Sequence, residues 1–142
     1  MGKLMAPKLC EVCGDLIHPQ AYCCKRCKKF LDRLDTRRHI VRNKKARLEA
    51  LKNGFNKTGK YFECHYTHIR LEENDSKSPR YLSFDHVVPR DESEMVIVAQ
   101  LINDMKSDMS DEEFRSMVKQ LASHFGGDEF DENMFILKHW KR

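Results

Sequence analysis

Apolar positions in this chain come in short bursts set in a charged background, and their spacing changes from one burst to the next. Between Lys25 and Lys52 they recur at helical intervals, Phe30, Leu31 and Leu34 forming one stripe and Ile40, Val41, Leu48 and Leu51 a second. That spacing predicts helix, with Asp35-Thr36 as a cap or kink between the stripes and Asn53-Gly54 as the stop. Asn53 to Lys60 reads as a linker. From Tyr61 to Tyr66 the period falls to two, which places Phe62, Cys64 and Tyr66 on one face of a half-buried strand. Glu72 to Ser78 is a polar loop followed by Pro79, and Tyr81 to Phe84 is a short apolar run that predicts a buried strand. Asp85 and His86 emerge side by side from its end, and Pro89 stops further pairing. After a polar loop from Arg90 to Glu94, Met95 to Val98 gives a second strand, followed by a short helix carrying Asn103 and Lys106.

Ser110-Asp-Glu-Glu113 has the form of a capping box. The helix it opens puts Phe114, Met117, Val118, Leu121, Ala122 and Phe125 on one stripe, which predicts a core-facing surface, and Gly126-Gly127 ends it. Asp131 is placed to cap a last short helix, with Met134, Phe135 and Trp140 packing inward.

Charge divides the chain in two. Residues 1–60 carry sixteen Lys/Arg against five Asp/Glu, and residues 61–142 carry ten against seventeen. A basic half joined to an acidic one suggests that one end meets a polyanion while the other holds cations or supports chemistry. At 142 residues and 40% apolar, the chain supports one compact unit or one small domain with a metal-stapled appendage. No run of 18 apolar residues is present, so no membrane span is expected. Met1 to Lys8 lacks the apolar core of a secretory signal. Six cysteines in that setting point to metal ligation or free thiols in a reducing cytosol rather than to disulfides.

The cysteines are paired. Cys10-Glu-Val-Cys13-Gly14 is a metal knuckle, and Tyr22-Cys23-Cys24-Lys-Arg-Cys27 supplies a second half. Four thiolates in two such pairs suit tetrahedral Zn²⁺, and so short a segment would fold together with its ion. Cys24 and Cys27 give a C-x-x-C spacing, Cys23 and Cys27 a C-x-x-x-C spacing. The Tyr-Cys-x-x-x-Cys form resembles the second half of many small zinc modules, and that resemblance implies Cys10, Cys13, Cys23 and Cys27, with Cys24 as the alternative to Cys23. Cys64 stands alone and is expected as a core thiol. Around the helical stripes lie Arg33, Arg37, Arg38, Arg42, Lys44, Lys45 and Arg47 with few acidic neighbours, a pattern that suits contact with a phosphate backbone.

Phosphodiester hydrolysis needs an activated water, a cation that offsets developing charge, and alignment. Neutral His86 is a natural general base, and Asp85 and the Asn103 amide oxygen are hard ligands suited to Mg²⁺. Asp-His-Val-Val-Pro on one strand, a second strand, and Asn103-Asp-Met-Lys106-Ser-Asp108 on a helix together resemble the HNH nuclease motif. The nearest likeness is to small stand-alone or phage-type HNH endonucleases with an N-terminal cysteine zinc site. The resemblance implies an α+β fold: a zinc-ribbon or treble-clef-like module with a basic helical arm over residues 1–58, then a ββα-metal core with C-terminal helices over 59–142.

It also implies roles. His86 activates water, Asp85 and Asn103 hold Mg²⁺ or Mn²⁺, and Arg90, Lys106, Arg37, Arg38, Arg42 and Lys45 contact phosphate, with Zn²⁺ structural. DNA is the expected partner in a bacterial or phage-infected cytosol, with room for a homodimer or a larger phage assembly. One position departs from the motif: its middle Asn falls at Glu94, which can accept but not donate a hydrogen bond. That departure sustains the alternative of a non-catalytic zinc-finger nucleic-acid-binding protein on the same scaffold.

Overall fold

A computed structural model of the chain describes residues 6–33, 43–91 and 93–125. It is a mixed arrangement of α and β, with four helices and three two-stranded sheets among the described residues. Strands β1 (Lys8–Leu9) and β2 (Leu16–Ile17) pair antiparallel around the Cys10–Cys13 turn. Gly14 completes that turn at φ +78°, a conformation an L side chain rarely takes, while its amide donates to Cys10 O. Helix α1 (Lys25–Leu31) follows and buries Cys27, Phe30 and Leu31.

The predicted long helix is two helices. The second, α2 (Lys44–Gly54), is opened by Asn43, whose side chain accepts from Ala46 N. Leu34, Asp35, Thr36, Arg37, Arg38, Ile40, Val41 and Arg42 lie outside the described residues, and with them the expected kink and three cations of the basic arm. The helix runs through Asn53 and Gly54, which therefore do not act as a left-handed stop. A β-carbon on Gly54 would come within 2.2 Å of Ile97 Cδ1, so this glycine is needed for close approach of α2 to the hairpin beyond it. The expected linker is in fact an antiparallel pair, β3 (Phe55–Asn56) and β4 (Tyr61–Phe62). The predicted strand to Tyr66 is shorter than its alternation suggested. Phe62 and Cys64 are nevertheless fully buried, as the two-residue period requires.

Strands β5 (Leu82–His86) and β6 (Met95–Ala99) form an antiparallel hairpin in which Asp85 faces Val96 and His86 faces Met95. Asp85 and His86 thus belong to the strand rather than emerging from its end. Helix α3 (Gln100–Lys106) leaves β6 directly and packs back on β5. Helix α4 (Asp111–His124) begins with both bonds of the capping box between Ser110 and Glu113. Its stripe is not core among the described residues: Phe114 is buried and Met117 partly so, but Val118, Leu121 and Phe125 are exposed. Met134, Phe135 and Trp140, expected to pack inward, lie outside the described residues.

One apolar core joins the two halves. Phe30 of α1 meets Phe62 edge-on and also packs against Tyr81, and Phe55 stacks edge-on against Phe62. Arg26 adds a two-pronged bond to Glu73 and lies over the rings of Phe55 and Phe62. The buried cluster draws residues from both sides of position 58.

Because α2 and β6 touch at Gly54, Gly54→Ala is expected to lower stability by about 1–3 kcal/mol through overpacking. Urea denaturation measures this, and the penalty should shrink in the Ile97→Val background, which removes the nearest clashing carbon.

Candidate functional site

The thiols that converge are those of Cys10, Cys13, Cys24 and Cys27, all within 4.8 Å of one another. Sulfur separations are 3.9 Å for Cys10–Cys27, 3.4 Å for Cys13–Cys24 and 3.5 Å for Cys24–Cys27. Four thiolates at the vertices of a tetrahedron around Zn²⁺ would stand about 3.8 Å apart. The cluster can therefore hold a structural metal such as zinc.

The second pair uses Cys24, not the favoured Cys23, for a local reason. Cys24 is the N-cap of α1 and Cys27 its third residue. An N-cap side chain lies over the third helical position, so C-x-x-C across a helix start brings the two sulfurs together. Cys23 precedes the cap and is buried outside the cluster.

Burial shapes these thiols. It pushes Cys27 far up and Cys13 to about 12, helped in both by the neighbouring sulfurs. Cys10 is buried too, yet backbone amides of Cys13, Cys24 and Val12 draw it down to about 7.

The second polar centre is the seam between β5 and α3. Successive side chains of a strand alternate faces, so Ser83 and Asp85 share the α3 side while Phe84 and His86 are directed to the other. Asn103 Nδ2 donates to Ser83 Oγ at 2.7 Å and to Phe84 O at 3.3 Å. Both amide hydrogens are thereby spent on the strand, which fixes the plane of the amide and leaves its oxygen as the free end.

One helical turn on, Lys106 Nζ stands 2.9 Å from Asp85 Oδ2 and donates to His86 O at 2.8 Å. Asp85 is 5% exposed and Lys106 1% exposed. Lys106, expected at a phosphate, is thus inside the protein, because a buried carboxylate requires a partner. Burial pushes the Asp85 carboxyl above its ordinary range in spite of the ammonium and His86. Asp85 Oδ2 makes no hydrogen bond, its contact with Lys106 being an unaligned ion pair. Asp85 Oδ2, held only by the Lys106 ammonium, and the Asn103 amide oxygen are hard oxygen donors of the kind a divalent cation takes.

No family model, no curated protein and no solved structure matches this chain.

Several expected contacts fall elsewhere. Arg47 is 8% exposed and donates to the carbonyls of Phe30, Leu31 and Arg33, satisfying the end of α1 rather than facing solvent. Arg33 reaches Leu82 O and lies over Tyr81, and Lys44 pairs with Asp32. Lys45 and Arg90 are exposed, Arg90 at a positive φ of 65°. Arg37, Arg38 and Arg42 lie outside the described residues. His86 is half-buried and within electrostatic reach of Asp85 and Asp91.

A group missed in the sequence borders this seam. Asp111, the first residue of α4, accepts from Tyr66 Oη and from Arg115 Nε, and its amide donates to Val87 O. Arg115 Nη2 lies 3.2 Å from His65 Nε2. Burial and Arg115 hold His65 below the usual histidine range against the pull of Asp111. Only the i, i+4 spacing of Asp111 and Arg115 was visible in the sequence.

Native mass spectrometry is expected to find one zinc per chain. Cys24→Ser should lose it and Cys23→Ser should keep it, and a chelator should abolish the cooperative unfolding transition of the N-terminal region.

Proposed function

We propose that the chain is an HNH-type, metal-dependent endonuclease acting on DNA, with a zinc-stapled N-terminal module. The reading is carried by the Asn103 amide anchored to Ser83 and Phe84 one turn from a lysine on the buried Asp85. The order of elements supports it as well: strand, turn, strand and helix in immediate succession, bearing Asp-His on the first strand and Asn on the helix.

In this reading Asp85 and Asn103 hold a Mg²⁺ or Mn²⁺ ion. When bound, such an ion offsets charge on the phosphorane and on the leaving oxygen. His86 takes the proton from the attacking water. Exposed Arg90 and Arg115 are available as phosphate contacts, and Lys45 with Arg37, Arg38 and Arg42 contributes backbone affinity without reading sequence.

A second reading has an observation of its own. Alternation along β5 directs His86 away from Asp85, and Lys106 already neutralises that carboxylate. Both suit a non-catalytic zinc-finger nucleic-acid-binding protein.

Plasmid nicking separates the two. An endonuclease cuts with Mg²⁺ or Mn²⁺ and not with a chelator, and His86→Ala lowers the rate by about 10²–10⁴-fold. Salt-sensitive DNA binding without cleavage under either ion, unchanged in Asp85→Ala, establishes the second reading instead. Parallel RNA and DNA substrates identify which polymer is cut.

A further inference from the structure

Lysine is almost never fully buried unless paired, and Lys106 is buried at the one carboxylate that the reading above gives to a divalent ion. Its ammonium has two partners, Asp85 Oδ2 and the His86 carbonyl, and only the second is an aligned hydrogen bond. Lys106 is also the last residue of α3, and Ser107 turns the chain away at a φ of 49°. Its stem is therefore rooted where the helix ends, flanked by exposed Met105 and Ser107.

We infer that Lys106 is the resident counter-ion of the metal-free site, and that a divalent cation reaches Asp85 only by expelling the ammonium toward solvent. The inference rests on the metal site proposed above and adds an exchange to it. Two cations cannot share one buried carboxylate without strong mutual repulsion, because the low-polarity surroundings screen them poorly. The bare carboxylate, for its part, cannot remain buried and unpaired. One positive charge must arrive as the other leaves. Lys106 is here a positioning residue for the ion, acting through Asp85.

The test uses the full chain with zinc bound and two readouts. Acetylation footprinting by mass spectrometry follows Lys106 in the wild-type protein with and without Mn²⁺. Calorimetry measures Mn²⁺ binding to the wild type, Lys106→Met and Asp85→Asn. Lys106 is expected to resist acetylation without Mn²⁺ and to label at saturating Mn²⁺, and Lys106→Met to bind Mn²⁺ about tenfold more tightly or better. Binding by Lys106→Met with none by the wild type overturns the exchange, because the lysine then blocks the carboxylate instead of yielding it.

If the wild type binds Mn²⁺ in an Asp85-dependent way while Lys106 stays protected and Lys106→Met binds no tighter, the exchange is overturned and the metal site stands. Absence of Asp85-dependent binding in both the wild type and Lys106→Met overturns both. Should Lys106→Met fail to fold, the footprint on the wild type decides alone.

Discussion

A carboxylate and an ammonium removed together from water dictate how the second half of this chain is assembled. Asp85 and Lys106 come from different elements, and neither tolerates burial alone. Their pairing sets the rotation of α3 against β5, and the Asn103 amide, bonded to Ser83 and Phe84, sets it again one turn earlier. Apolar packing by Leu82, Val98 and Ile102 supplies cohesion without direction, since such contacts tolerate small slips. Polar contacts at two heights of the helix remove that freedom. The cohesion could be had from hydrophobic residues alone; the fixed register cannot.

The cysteine cluster imposes an equivalent constraint on the first half. Two-residue strands and a seven-residue helix are too short to persist on their own. Convergence of four sulfurs closes β1, β2 and α1 into one object. That object is then joined to the rest by Phe30 against Phe62 and by Arg26 on Glu73. The two centres are thus coupled through a shared core, not strung on a linker.

Much of this was legible in the sequence where the signal is local. The hairpin of β5 and β6, the helix after it, the Ser110–Glu113 cap and the Cys10–Cys13 knuckle each depend on residues within a few positions of one another. What escaped depends on partners far along the chain. Lys106 and Arg47 look like ordinary surface cations until Asp85 and the carbonyls of α1 are brought to them from sixteen or more positions away. Gly54 looked like a helix stop because its contact with Ile97 has no trace in its neighbours. The choice of Cys24 was within reach: a cap-to-third-position reading of the helix start favours it, whereas likeness to other zinc modules pointed to Cys23. The stripe of α4 is the reverse case, a clear periodicity whose far end meets nothing among the described residues.

The amide of Asp111 gives α4 a mechanical link to the hairpin. It is bonded to the carbonyl of Val87, the residue directly after His86. The capping box satisfies amides of the first turn of α4 and of its cap, so the helix starts at a fixed place beside that bond. With Val118, Leu121 and Phe125 exposed along it, α4 carries an open apolar stripe on a helix whose first residue is bonded one peptide from the imidazole.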